Sequence, residues 1–342
     1  MTDNKLSKVR IKSVDLMKGF AIILVVLGHA IGAVTSSKVI MEIPYSFYLV
    51  YNWIYSFHMP IFFIVAGFFI ERWTKRSRKE AVLGKFYRLA IPYFIWGLLF
   101  AIYKQIGGGY SNHSEEGILS FLWSPLIPWN IFWFLYVMFI IQIFYYVIVN
   151  IFNNYAKGQK VFMGISIVMF LLYPYFPDVW IIHRLGKFTI FFALGTYMIK
   201  YLADFEQKMN IKRLIVSVVA FCVISYVFLF YTHEDMLFPK EWIFLLTGCI
   251  GTLLVVTLSC YVSKIKILFN FVRYCGEKSM EIYLLHPFVL GFIRVCADKI
   301  LGFELLWFKT MFLFILSMAI CCLIWYHIRN DNSIYKLVFG IK

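Results

Sequence analysis

The sequence predicts an all-α protein that crosses a membrane about ten times. Of its 342 residues, 62% are hydrophobic and only 15% are charged, whereas ordinary globular domains carry about 25% charged residues. The apolar residues form runs close to the ~20 residues that a helix needs to span a bilayer. We therefore expect residues 1–342 to form one transmembrane domain, with no appended soluble domain.

Ten apolar segments account for this prediction, and the fifth and sixth are the shortest. Their approximate cores are residues 16–34, 49–70, 86–103, 129–151, 161–175, 188–199, 214–231, 242–262, 280–296 and 306–328. An even number of crossings places both chain ends on the same side of the membrane.

The basic residues indicate which side that is. Most Lys and Arg residues lie in the loops on one side, and the opposite loops are richer in Asp and Glu. By the positive-inside rule, the basic loops and both termini are cytoplasmic. Membrane orientation thus explains the net charge of +15, and we expect membrane lipids but no nucleic acid as partners. The predicted location is a cell membrane, most simply a bacterial cytoplasmic membrane; the oligomeric state is not indicated.

One cytoplasmic stretch is more basic than orientation requires. Residues 71–88 hold a dense group of cations that includes Arg72, Arg76, Lys85 and Arg88. Such a group can anchor the chain to anionic lipids. Alternatively, it can bind a polyanionic cytosolic ligand, because Arg and Lys form charge-assisted hydrogen bonds with phosphates.

The first apolar segment carries ionisable residues into the membrane. In a helix, Asp15, Lys18 and His29 lie close to one face, and Lys18 and His29 are separated by ~16 Å along the axis. Lys18 would then lie near the membrane edge and His29 near the centre. An ionisable group at that depth costs at least ~2.5 kcal/mol, so His29 is a candidate functional residue.

Two further histidines fall within predicted spans. His58 lies ~19 Å into the membrane, counted back from Glu71 at the cytoplasmic edge, and level with His29; Pro60 predicts a kink beside it. His286 lies ~12 Å beyond Lys278, which precedes the ninth segment, and close to Tyr283 on the same helix. A membrane histidine can simply be an interhelical hydrogen-bonding residue. Two histidines at the same depth, His29 and His58, favour a functional site.

On the predicted external side, aromatic residues gather around Trp133. Tryptophans usually form interfacial belts, and the alternative is a platform on which a sugar ring stacks. The seven cysteines form no CxxC pair, so neither a metal nor a disulfide is expected.

Several segments together resemble a known family. The spacing of Lys18 and His29 within DLMKGFAIILVVLGHA is similar to the Arg/Lys-x10-His motif of the acyltransferase type-three family of integral membrane acyltransferases. Further segments resemble that family in its order: SFHMPIFFIVAGFF (56–69), KFYRLAIPY (85–93), WFL (133–135), FFALGTYM (191–198) and IYLLHPFV (282–289). The resemblance covers about residues 10–330.

This resemblance implies transfer of an acyl group, usually acetyl from acetyl-CoA, to a hydroxyl of a surface or exported carbohydrate, free or lipid-linked. Acyl transfer needs a base for the hydroxyl proton and stabilisation of an oxyanion, and imidazole, with an ordinary pKa of ~6.5, suits the first task. We assign His29 as the general base.

The other candidate residues take supporting roles. Asp15 would orient Lys18, and His58, Tyr283 and His286 would donate to the thioester carbonyl or contact the acceptor. The phosphates of CoA would be held by Lys18 and the basic stretch, through Arg72, Arg76, Lys85 and Arg88.

The main alternative is a transporter or flippase for a glycan or small solute, since membrane histidines and kinking prolines also suit translocation. A glycan-binding sensor is a third interpretation, but the sequence offers no output domain for it.

Overall fold

The structure is a computed structural model that describes residues 12–36, 43–107, 117–127, 129–152, 154–178, 181–230, 240–301, 305–328 and 333–340. Its described residues are helical and contain no strand, so the predicted all-α fold is confirmed. The N-terminal basic residues Lys5, Lys8 and Arg10 lie outside the described residues.

Sixteen helices are described in these ranges. They are α1 (Lys12–Thr35), α2 (Tyr45–Tyr55), α3 (His58–Phe68), α4 (Ile70–Thr74), α5 (Arg78–Lys85), α6 (Ile91–Gly107), α7 (Ile118–Phe121), α8 (Trp133–Ile151), α9 (Tyr155–Leu172), α10 (Ile181–Gln207), α11 (Ile211–Phe230), α12 (Lys240–Val262), α13 (Lys266–Glu277), α14 (Ser279–Cys296), α15 (Leu306–Ile328) and α16 (Ser333–Phe339).

Nine helical segments of the described chain are long and apolar enough to cross a membrane. The protein is therefore a multi-pass membrane protein, as predicted. The sixth predicted segment, residues 188–199, lies in α10, which has 27 residues but is not among the nine. Charged residues near both ends of α10 lower its hydropathy, and its central residues 188–193 are buried in the bundle. A helix that is shielded from lipid by its neighbours does not need a fully apolar surface.

The long helices alternate in direction and so define two faces of the bundle. We call the face at which α1 begins and α3 ends the basic face, because it carries residues 71–88. At the opposite face α1, α6 and α14 end, and α8 and α10 begin. The sequence predicts that the basic face is cytoplasmic.

The second predicted span is split into α2 and α3. The break lies at Ser56 and Phe57, and the Ser56 hydroxyl donates to the Trp53 carbonyl oxygen at 2.7 Å. Pro60 therefore lies in the first turn of α3, where its missing N–H removes no intrahelical hydrogen bond. The predicted kink is present, but about one turn before the proline. It places His58 at the start of α3, inside the bundle.

Close contact between α3 and α10 depends on two glycines. A Cβ atom at Gly195 would lie 2.1 Å from the Ile64 carbonyl oxygen, and one at Gly67 would lie 2.4 Å from the Phe192 carbonyl oxygen. Small residues allow helix backbones to approach in this way in membranes. The contact holds α10 in the interior, beside α3 and its histidine.

Candidate functional site

A cavity of about 810 Å³ lies between the helices in the half of the bundle near the opposite face. Its lining includes Ser36 and Gly107 at the ends of α1 and α6, Asn130 just before α8, and Arg184 in the first turn of α10. The cavity therefore opens toward the face that lies away from residues 71–88. His29, on α1, is among its deeper lining residues.

His29 lies less than two turns before the end of α1, and its side chain is partly exposed to the cavity. Its ring centroid lies 5.1 Å from that of His286 and 6.4 Å from that of Tyr55. The preceding residue, Gly28, admits the tyrosine, because a Cβ atom there would lie only 3.0 Å from the Tyr55 ring. The local sequence of α1 thus allows aromatic residues to approach the candidate base.

His58 lines the same cavity from the first residue of α3 and is 2% exposed. Its Nδ1 lies 2.6 Å from the Ile54 carbonyl oxygen in α2, and the ring of Tyr55 contacts it edge-on at 4.7 Å. A carbonyl oxygen only accepts, so this hydrogen bond places the proton of a neutral imidazole on Nδ1. The Nε2 atom of His58 is then an acceptor.

His286, on α14, makes the same type of hydrogen bond but does not itself line the cavity. Its Nδ1 lies 3.0 Å from the Ile282 carbonyl oxygen, which again leaves Nε2 as an acceptor in the neutral ring. The side chain is fully buried, and Nε2 has no hydrogen-bond partner among the described residues. Such an acceptor is costly to bury unless a ligand donates to it.

The structure therefore brings the three predicted histidines together: Tyr55 contacts His29 and His58, and His286 packs against His29. A neutral His58 presents to the cavity a nitrogen that accepts a hydrogen bond, so it suits contact with a hydroxyl-bearing acceptor better than donation to a thioester carbonyl. Among the described residues, no group of His, Cys, Asp and Glu could hold a metal ion.

Tyr283 and Trp133 also line the cavity, but both already make other contacts. The Tyr283 hydroxyl donates to the Ile131 carbonyl oxygen just before α8. The Trp133 ring stacks with the Phe188 ring, with their centroids 5.1 Å apart, and the Arg184 guanidinium lies 4.7 Å from the centre of the Trp133 ring. Little of the indole face is left for a sugar ring, so the geometry favours a role for Trp133 in holding Arg184.

The cations predicted to bind the acyl donor lie at the basic face, away from the cavity. Lys18 forms an ion pair with Asp15 at 2.9 Å near the start of α1, and 29% of its side chain is exposed. Glu281 is 3% exposed and pairs with Lys278 at 3.6 Å at the start of α14. Asp15 and Lys18 are thus adjacent, about three helical turns from His29, at the basic face.

Residues 71–88 lie in α4, in α5 and in the π-helical turn Phe86–Ala90, and α4 and this turn pack against α8. Arg72, Arg76 and Arg88 are exposed, and Lys85 is half-buried with its Nζ 4.9 Å from the centre of the Trp73 ring. None of the predicted phosphate-binding residues lines the cavity of the histidines. The predicted site is therefore divided between the two faces of the bundle.

Sequence reasoning missed several cavity residues. Tyr55 was hidden in an aromatic run, and Arg184 resembled an ordinary loop cation. Lys104 and Arg294 line the cavity as well. Asn130 adopts a positive φ of 48°, which Asn tolerates better than most residues. For the three cations, the only signal in the sequence is an ionisable residue near a predicted helix end. Such residues are common, so this signal does not identify a site.

The fold and this cavity define a class: a polytopic helical membrane protein whose interior histidines lie within reach of one side of the membrane. A family model described as an acyltransferase domain matches residues 11–326, nearly the whole chain. The chain therefore belongs to this family and is a membrane acyltransferase. No curated protein and no solved structure gives a significant match.

Proposed function

We propose that the protein transfers an acetyl group, or another short acyl group, from cytosolic acyl-CoA to a hydroxyl of a cell-surface or exported carbohydrate. One observation carries the proposal: His29 lies in a cavity that opens away from the basic face. An acceptor then enters from outside the cell, and the charged part of the donor stays on the cytoplasmic side. The cell membrane of a bacterium is the proposed location.

His29 acts as the general base in this proposal. It takes the proton of the acceptor hydroxyl as the hydroxyl oxygen attacks the thioester carbonyl carbon. The carbon–sulfur bond then breaks, and the departing thiolate takes the proton from His29. Positioned proton transfer of this kind contributes about 10²–10⁴-fold to a rate. In support, the His29 ring is exposed to the cavity and has no hydrogen bond to another described residue.

The neighbours of His29 supply the rest of the reaction site. Nε2 of His58 accepts a hydrogen bond from an acceptor hydroxyl, which orients the attacking oxygen. His286 packs against His29 from behind the lining and fixes the position of its ring. The Tyr55 hydroxyl is the proposed donor to the developing oxyanion, because its ring lies 6.4 Å from that of His29 and 4.7 Å from that of His58. A donor placed where negative charge develops stabilises the transition state.

The donor binds from the basic face. Lys18, held by Asp15 at 2.9 Å, and the exposed cations Arg72, Arg76 and Arg88 bind the CoA phosphates, with Lys85 beside them. The pantetheine arm then runs along α1 over the ~16 Å that separates Lys18 from His29. Arg is suited to phosphates because its planar fork donates two parallel hydrogen bonds.

Labelled acetyl-CoA tests the proposal. Proteoliposomes containing the full chain would receive acetyl-CoA labelled in the acetyl group on one side and oligosaccharide on the other. We expect label in the oligosaccharide, in a form that mild alkali releases, as an ester requires. Oligosaccharide that crosses the bilayer without gaining label would overturn the proposal in favour of a transporter.

A further inference from the structure

The mouth of the cavity carries positive charge. Lys104 near the end of α6, Arg184 in the first turn of α10 and Arg294 near the end of α14 all line it. No Asp or Glu is found among the described lining residues. This is unexpected, because the loops of this face carry more acidic than basic residues overall. Three cations of this face thus line the cavity, whereas none of the described acidic residues does.

Arg184 is held in position for a ligand. Its guanidinium lies 4.7 Å from the centre of the Trp133 ring, and that ring stacks on Phe188 at 5.1 Å. Stacking of this kind fixes the plane of an arginine. The Nε atom of Arg184 is buried and has no hydrogen-bond partner among the described residues. A buried donor of this kind costs free energy unless an acceptor from a ligand reaches it.

The nearby carboxylates are engaged with other groups. Asp178 accepts from Nε2 of His183 at 2.7 Å, and 88% of its side chain is exposed. Asp298, close to Arg294, forms an ion pair with Lys309. Arg294 itself is only 8% exposed. Each of these two carboxylates therefore has a second partner, and a cavity of about 810 Å³ has room for sugar residues.

We propose that the acceptor is anionic: it carries a carboxylate or phosphate group that binds Arg184 and its neighbouring cations while its hydroxyl reaches the histidines. This inference rests on the proposed function and adds the substrate class. Charge-assisted hydrogen bonds to a planar guanidinium give both orientation and affinity. The anionic group thereby fixes which hydroxyl faces His29.

Binding measurements with defined probes test this inference without any transfer reaction. The probes are a uronic-acid hexasaccharide, the same hexasaccharide with its carboxyl groups reduced to alcohols, and a neutral oligosaccharide linked to a polyprenyl pyrophosphate. Affinity for the purified full chain in nanodiscs would be measured at two salt concentrations. The third probe distinguishes an anion on the sugar from a lipid-borne pyrophosphate.

We expect an anionic probe to bind about tenfold or more tightly than the carboxyl-reduced one, with a preference that falls as salt rises. Arg184→Gln should remove most of this preference, and Arg184→Lys should restore part of it. Lys240→Gln is the matched control, because Lys240 begins α12 on the same face and does not line the cavity; it should retain the preference.

Equal affinities for all three probes would overturn the inference. Equal losses of affinity for the anionic probe in Arg184→Gln and Lys240→Gln would overturn it as well. Its failure is distinguishable from failure of the proposed function. Acetyl transfer to the carboxyl-reduced hexasaccharide that is unaffected by Arg184→Gln would retain the enzyme and reject the anionic acceptor. Binding of an anionic probe that depends on Arg184, without any acetyl transfer, would retain the anionic ligand and reject the proposed enzyme.

Discussion

The rings of His29 and His286 lie 5.1 Å apart, centroid to centroid, and are inclined at 42°. One comes from the first long helix and the other from α14, near the end of the chain, and the two helices pack directly together. The pair places a solvent-accessible imidazole beside one whose Nε2 is buried without a partner in the described structure. His286 thus packs behind the candidate base, and a hydroxyl that enters the cavity meets His29 first.

The close contact of α3 and α10 predicts a strong effect of a single methyl group. Gly195→Ala should lower stability by about 1–3 kcal/mol, because its Cβ atom would lie 2.1 Å from a backbone oxygen that cannot move aside alone. Thermal unfolding of the detergent-solubilised protein measures this effect. Gly164→Ala, on α9, is the control, since a Cβ atom there meets nothing within 4 Å. Equal melting temperatures for the two variants would contradict the packing argument.

The position of Tyr55 predicts a more local effect. Gly28→Ala would place a methyl group 3.0 Å from the Tyr55 ring, so the ring must shift by a few tenths of an ångström. We expect kcat to fall severalfold, less than the ~100-fold of a 1 Å misplacement, with little change in KM for acetyl-CoA. Gly32→Ala adds the same group at an ordinary 3.6 Å contact with Tyr51 and should have a smaller effect. Similar losses in both variants would reject a positioning role for Gly28.

The sequence predicted much of this site because the relevant signals are local. Lys18 and His29 share one helix, so their spacing follows from helical geometry, and the depth of His58 follows from its distance to the membrane edge. The contact of His286 with His29 depends on which helices pack together, and no local pattern specifies that. Arg184 was interpreted as an ordinary external cation because its stack on Trp133 joins two separate helices.

The basic segment predicts a change in donor affinity. Replacing Arg76, Lys85 and Arg88 together with Gln should raise KM for acetyl-CoA and weaken its salt dependence, because fewer charges then contact the phosphates. Steady-state kinetics at several salt concentrations measure both effects. The matched control replaces Lys157, Lys160 and Lys208, which are exposed and predicted to lie on the same face. An unchanged KM, or equal increases in the two triple variants, would count against donor binding at this segment.

The most direct test of the central claim is acetyl transfer by His29→Gln. Gln keeps a polar side chain of similar reach but cannot accept the proton, so we expect at least a ~100-fold loss of transfer, with unchanged membrane insertion, melting temperature and acetyl-CoA affinity. His183→Gln is the matched control, because His183 pairs with Asp178 and does not line the cavity; it should keep near-normal activity. Labelled acetyl groups reaching the acceptor at the normal rate in His29→Gln would show that His29 is not the base.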